Sequence, residues 1–146
     1  MADDRPVFDG INLVVGNMDA MVAFYEQLGV EVVPTDAEWA ANHRYLGTPD
    51  GFDFDLDSLV FARQWNRGWP EGQTGAVIGF RVPSRDAVDE LYRKLTTAGY
   101  AGQQEPYDAF WGARYGVVAD PDGNSVGIMS PADPGFRSPE PPEASS

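Results

Sequence analysis

Apolar positions along the chain fall into two patterns, short dense runs and two helical stripes. Residues 11–15, Ile-Asn-Leu-Val-Val, form a compact β-branched run that predicts a strand. Met21, Phe24, Tyr25 and Leu28 then recur on one helical face, with Asn17 or Asp19 placed to cap the start and Gly29 to stop it. Residues 30–33, 39–46 and 54–61 read as three further strands, the last turned in by Pro49-Asp50-Gly51. Residues 61–69, followed by Pro70, Gly72 and Gly75, read as a link.

The pattern then begins again. Residues 76–82 predict a strand, and Ser84 caps a helix whose stripe is Val88, Leu91, Tyr92 and Leu95, ended by Ala98-Gly99. Residues 100–104, 113–119 and 125–129 follow as strands. The repetition extends to wording: Thr48-Pro49-Asp50-Gly51-Phe52-Asp53-Phe54-Asp55-Leu56 is echoed by Asp120-Pro121-Asp122-Gly123-Asn124-Ser125-Val126-Gly127-Ile128. A long period that occurs twice predicts two fused modules rather than a solenoid. Helices separated by runs of strands predict an α+β fold.

Composition narrows the function. The chain has 146 residues, 42% hydrophobic and 12% aromatic, which suits one globular domain. Its 23 acidic and 10 basic residues give a net charge of −13. That surface disfavours nucleic acid and anionic membranes, so cationic or neutral partners are expected. Cysteine is absent, which excludes disulfides, thiolate catalysis and cysteine-held metal, and suits a cytoplasmic location. No signal peptide is expected at the start, and no apolar run approaches the roughly 18 residues of a membrane span. Residues 131–146, rich in Pro, Ser and Glu, are expected to form a disordered tail. No nucleophile elbow, phosphate loop or dinucleotide fingerprint is visible, so no organic cofactor is expected.

Several segments in order carry a family resemblance. These are Leu13-Val14-Val15-Gly16-Asn17-Met18 leading to Phe24-Tyr25 and Leu28-Gly29, then Gly79-Phe80-Arg81-Val82, Trp111-Gly112-Ala113-Arg114 and Asp120-Pro121-Asp122-Gly123-Asn124. Together they resemble the vicinal oxygen chelate superfamily, which includes glyoxalase I, extradiol dioxygenases and the fosfomycin and bleomycin resistance proteins. The resemblance spans roughly residues 8–130. It implies two βαβββ modules forming a curled mixed sheet around one cleft. The expected division is a flexible N-terminus at 1–6, a first module at 7–63, a connector at 64–75 and a second module at 76–130.

The resemblance also implies where a metal would sit, with one ligand on the first and one on the last strand of each module. Those four corners fall on Gly10, Asp55, Val77 and Gly127. Three carry no side-chain donor, and one carboxylate does not make a divalent site. The chain therefore resembles metal-free members, and a metal-dependent lyase or dioxygenase is not expected.

Candidate binding residues follow. Asp53, Asp55 and Asp57 alternate and so share one strand face; Asp55 is expected in the cleft, Asp53 and Asp57 on a solvated surface. His43, the only histidine, lies on a strand that lines the cleft in this fold, and Arg44 offers Asp55 a structural partner instead. Among Trp39, Trp65, Trp69, Tyr107, Phe110, Trp111 and Tyr115, the leading ligand contacts are Trp39, Trp65 and Phe110. Trp111 is carried with them, although its Trp-Gly-x-Arg setting is also a packing element of the family. The bland alternative for these rings is a core or a dimer interface.

The expectation is a protein of the bleomycin-resistance type that binds an aromatic, cationic or neutral, small organic molecule, as a homodimer with contact near Val7-Phe8. Two alternatives stay open. One is a metal-independent isomerase or lyase with Asp55 or His43 as general base. The other is a non-catalytic regulatory or interaction module.

Overall fold

The computed structural model describes residues 4–49 and 51–137. Eight strands form one sheet in the order β2-β3-β4-β1-β5-β8-β7-β6. The order is a palindrome of modules: β1 (Val7–Val15) and β5 (Gly75–Arg81) run antiparallel at the centre, each with its own last strand parallel beside it. Those last strands are β4 (Asp53–Ser58) and β8 (Ser125–Met129); β3 (His43–Gly47) and β7 (Arg114–Ala119) flank them. The outermost strands are β2 (Glu31–Val32) and β6 (Gly102–Asp108). This is the α+β architecture of two βαβββ modules.

Each module buries one sheet face under its own helix. α1 (Met18–Leu28) starts where the Asn17 side chain accepts from the Ala20 amide at 3.0 Å, and stops at Gly29, whose φ of 103° needs no Cβ. It packs Met18, Met21, Val22 and Tyr25 over Leu13, Leu46, Phe54 and Leu56. The expected stripe is rotated, because Phe24 and Leu28 are exposed. In the second module, a 13-residue helix (Arg85–Thr97) is capped by Ser84, which accepts from the Ala87 amide at 3.1 Å. Its Val88, Leu91, Tyr92 and Leu95 cover Val118, Val126 and Ile128, as the stripe predicts.

The other face is where expectation and structure part. The segment 39–46 is not one strand: α2 (Ala37–Ala40) carries Trp39, and β3 begins only at His43. Nor does β4 continue to residue 61. Ser58 accepts from the Phe61 amide at 3.1 Å and opens α3 (Leu59–Trp65), so the boundary expected at 63/64 falls inside a helix. α3 packs Phe61, Ala62 and Trp65 with Val14, Val77, Tyr115 and Val117, and thereby fills much of the concave face at the join of the modules. α4 is the 13-residue helix above.

Smaller differences lie at the ends. The strand expected at 30–33 is the two-residue β2. Val7 and Phe8 are exposed, but they belong to a central strand and not to an edge of the sheet. Of the expected tail, residues 131–137 include a 3₁₀ turn (Pro134–Phe136), with the Arg85 guanidinium 3.8 Å from the Phe136 ring centre. Residues 138–146, with 1–3 and Asp50, lie outside the described residues. Among the described residues no helix is long and apolar enough to cross a membrane.

Candidate functional site: a cleft with one acidic and one aromatic wall

What α3 leaves open on the concave face is a cavity of about 450 Å³. One wall comes from the first module. β4 presents Asp53, Asp55 and Asp57, β1 adds Asn12, β3 adds His43, and Thr35 and Asp36 stand before α2. The facing wall is made of rings: Trp39 of α2, Phe61 and Trp65 of α3, Phe110 and Trp111 of the β6–β7 loop, and Tyr115 of β7, with Met129 beside them. Among the described residues no Lys or Arg lines the cavity.

Strand pleating explains the acidic wall. Antiparallel partners share a face, and the register sets His43 against Asp57 and Tyr45 against Asp55. All three aspartates therefore turn to the cleft, and the solvated face expected for Asp53 and Asp57 is not formed. Asp57 is fully buried. Arg44 sits opposite Leu56 on the other face, so the expected Arg44–Asp55 pair does not exist.

Burial forces Asp57 to find partners. His43 Nδ1 lies 2.6 Å from Asp57 Oδ1, and Asn12 Nδ2 donates to Asp57 Oδ2 at 2.8 Å. His43 keeps a third of its side chain exposed. Burial works against charge on its ring, but the hydrogen bond and charge of Asp57, helped by Asp55 and Asp53, raise its pKa above the ordinary value. Asp55 is poorly served: the donor that reaches it, Asn12 Nδ2, stands 3.4 Å away. Burial first, then repulsion from Asp53 and Asp57, push Asp55 up to about 8. Asp53 is also raised, by burial and by Asp9. At neutral pH Asp55 thus keeps its proton, beside the His43–Asp57 contact.

The rings form a connected lining. Trp39 and Phe110, one from each module, lie nearly parallel at 14° with centroids 6.2 Å apart. Phe61 meets Trp39 and His43 edge-on at 5.6 and 5.8 Å. Trp111 both faces the cavity and packs, its Nε1 3.3 Å from Met129 Sδ and its ring 5.5 Å from Tyr115. Trp69 and Tyr107 are structural: Trp69 Nε1 donates to the Gln73 carbonyl at 2.7 Å, and the Tyr107 hydroxyl to the Trp65 carbonyl at 3.1 Å.

Each of the six residues proposed from sequence, Trp39, His43, Asp55, Trp65, Phe110 and Trp111, stands on this one cavity. Sequence reasoning missed Asn12, Asp57 and Phe61 as wall residues. Asn12 had a signal, a lone amide inside an apolar strand. Phe61 had one in Ser58, an N-cap three residues before it.

The metal corners are closed by packing. A Cβ on Gly10 would meet the Asp53 carbonyl oxygen at 2.3 Å, so that position has no room for a ligand side chain. At Gly127 the same atom would meet the Tyr115 hydroxyl at 2.7 Å, and Val77 is buried in the core. Only Asp55 of the four reaches the cavity. Among the described residues no three His, Asp or Glu side chains are grouped to hold an ion. The residues present do not fit the divalent centre that the fold family implies.

Two βαβββ modules closing on one cleft define the architecture of a glyoxalase-like protein. The sequence matches the family model of the Glyoxalase/Bleomycin resistance protein/Dioxygenase superfamily over residues 7–128, and the chain belongs to that family. Solved structures share the fold at low identity. The Mn(II)-bound glyoxalase from Novosphingobium aromaticivorans is 23% identical with a TM-score of 0.58, over 85% of this chain and 38% of that one. Methylmalonyl-CoA epimerase from Mycobacterium tuberculosis is 20% identical, TM-score 0.60, over 91% of this chain and 94% of that one. A superfamily member from Vibrio splendidus 12B01 is 19% identical, TM-score 0.57, over 87% and 98%. No curated protein matches the chain in sequence.

Proposed function

We propose that the protein binds a small aromatic organic molecule, cationic or neutral, in a metal-free cleft, as a sequestering protein of the resistance type. The observation that carries this reading is the pairing of a ring-lined wall with an acidic wall across one cavity of about 450 Å³. That volume suits a drug-sized ligand. Rigid rings offer large contact area at small entropic cost and favour π systems and cations. The acidic wall, without Lys or Arg, repels anions. A cytoplasmic location and a homodimer belong to the same proposal, resting on the absence of cysteine and on the exposed Val7 and Phe8.

Thermal unfolding against a panel of aromatic antibiotics and metabolites tests it. A ligand present at about 100 times its dissociation constant adds roughly 2.7 kcal/mol of stability. A panel that produces no shift sinks the proposal.

The His43–Asp57 contact favours a second reading. A buried carboxylate that orients an exposed imidazole, next to a carboxyl titrating near neutrality, has the parts for proton transfer in a metal-independent isomerase or lyase. That reading requires turnover of some carbon acid that Asp55→Asn abolishes while the fold persists. A variant that keeps full turnover removes Asp55 from the chemistry.

A further inference from the structure

His43 is fixed in the cleft from behind. Its Nδ1 lies 2.6 Å from Asp57 Oδ1, and the other oxygen of this fully buried carboxyl accepts from Asn12 Nδ2 at 2.8 Å. An amide NH₂ only donates, so Asp57 is the acceptor toward Asn12. A carboxylate held in this way accepts from the ring as well, which sets the proton of a neutral imidazole on Nδ1. Nε2 then carries the lone pair.

That second nitrogen belongs to the open side. The ring lines the cavity with 33% of its side chain exposed, and among the described residues none hydrogen-bonds to Nε2. Phe61 meets the imidazole edge-on at 5.8 Å and Trp39 at 5.6 Å, so His43 stands where the polar wall joins the aromatic one. A ring lying against Trp39 and Phe61 brings its substituents within reach of the imidazole.

We propose that His43 Nε2 is the polar contact for a hydroxyl group on the aromatic ligand, with Asp57 and Asn12 as its positioning residues. This deepens the reading of the cavity as a ligand site and rests on it. A hydroxyl suits both states of the ring: it donates to the bare Nε2 of a neutral imidazole and accepts from the Nε2–H of a charged one. An ammonium group suits the neutral ring alone, and an ether oxygen the charged ring alone. Both states matter here. Burial opposes charge on the ring, but Asp57, then Asp55 and Asp53, carry its pKa above the ordinary 6.5.

His43 is the one histidine of the chain, so isotope-labelled histidine reports on it without overlap. Nitrogen NMR of the free protein at alkaline pH should show Nδ1 protonated and Nε2 bare. The probes are 2-naphthol beside 2-methoxynaphthalene, and p-cresol beside its methyl ether. Each hydroxyl compound should bind about tenfold more tightly than its ether, the size of one net hydrogen bond, and should move the Nε2 resonance. Asn12→Ala should let the neutral ring sample both tautomers and cut that preference to about threefold.

A neutral ring with its proton on Nε2 overturns the contact, and that spectrum needs no variant. Hydroxyl and ether compounds that bind alike with Nε2 unmoved overturn it too, and leave the cavity reading standing. A preference without movement at Nε2 gives the hydroxyl to a carboxylate of the wall and also overturns it. Binding by neither series overturns both readings. Asn12→Ala protein that keeps the tautomer and the full preference overturns the positioning role.

Discussion

Rung for rung, the two halves of the sheet are built alike and furnished in opposite ways. Between β3 and β4 the cross-strand pair is His43–Asp57; at the matching place between β7 and β8 it is Tyr115–Met129. The next rung is Tyr45–Asp55 in one module and Val117–Gly127 in the other. On the opposite face the halves agree, with Phe54 and Leu56 answered by Val126 and Ile128 under their helices. The fold constrains the helix-covered face twice over and leaves the cleft face free to diverge. The strands of the first module have become a polar wall, and the second module, with α2 and α3, a hydrophobic one.

The polar rung is the place where the comparison breaks most severely. His43→Ala leaves Asp57 buried with Asn12 alone, and removing one partner of a buried pair costs about 3 kcal/mol. The sign with pH follows from the raised His43 pKa. Stability from the charged ring is fully present below about pH 6.5, its unfolded value, and fades as pH rises through the folded one. Urea unfolding at pH 6 and pH 9 should show the variant's deficit larger at pH 6. Tyr115→Phe, on the matching apolar rung, should show no such pH dependence.

The corner glycines sharpen the comparison next. Gly10→Ala sets a methyl against a backbone carbonyl at 2.3 Å, which a central strand relieves only by moving, at about 2 kcal/mol. Gly127→Ala meets the Tyr115 hydroxyl instead, a side-chain atom that can give, and should cost about 1 kcal/mol. Denaturant midpoints that rank them in reverse would show that β1 and not Tyr115 yields. A histidine installed at Gly10 to rebuild a metal corner should fail to fold for the same reason.

Much of this was legible in the chain, and what was not has a physical cause. β1, α4, β7 and β8 announce themselves because dense apolar runs, a clean stripe and the Ser84 cap all point the same way. α3 was hidden because Leu59-Val60-Phe61 suits a strand as well as a helix, and only the Ser58 cap decides. The α1 stripe was misjudged by one column, since Phe24 and Leu28 have the right period and are still exposed. At the site, alternating aspartates give one pattern whether the face meets solvent or a cavity. The difference comes from α2 and α3, whose Trp39, Phe61 and Trp65 pack over that face. Trp39 and Phe110 meet only in three dimensions, from opposite modules, and the family resemblance was the sole signal that they border one space.

Asp55 tests whether the polar wall is kept at a cost. Its folded pKa lies above the unfolded carboxyl value, so the native state binds a proton that the unfolded chain has lost. Stability therefore falls as pH rises from about 4 toward 8. Asp55→Asn removes that penalty, and the variant should be more stable than the parent by about 1.5 kcal/mol at pH 8. The gain should shrink on acidification and vanish near pH 4. A uniform gain at all pH values would mean that packing, not ionisation, sets the difference. Glycine at the equivalent position, Gly127, gives the other module no such dependence.

Trp39 carries the smallest effect on stability and separates furnishing from folding. It sits half-exposed on a four-residue helix and touches Phe61 and Phe110. Trp39→Ala should therefore cost only about 0.5 kcal/mol, whereas Trp65→Ala, buried beside Tyr115, should cost about 3 kcal/mol. If the aromatic wall exists for a ligand, the Trp39 variant should unfold almost like the parent and still lose most of the ligand-induced thermal shift. A variant that keeps the full shift would move the binding surface inward to Phe61 and Trp111. A large loss of stability would make Trp39 a core residue, and the two walls would then be one hydrophobic core with an acidic margin.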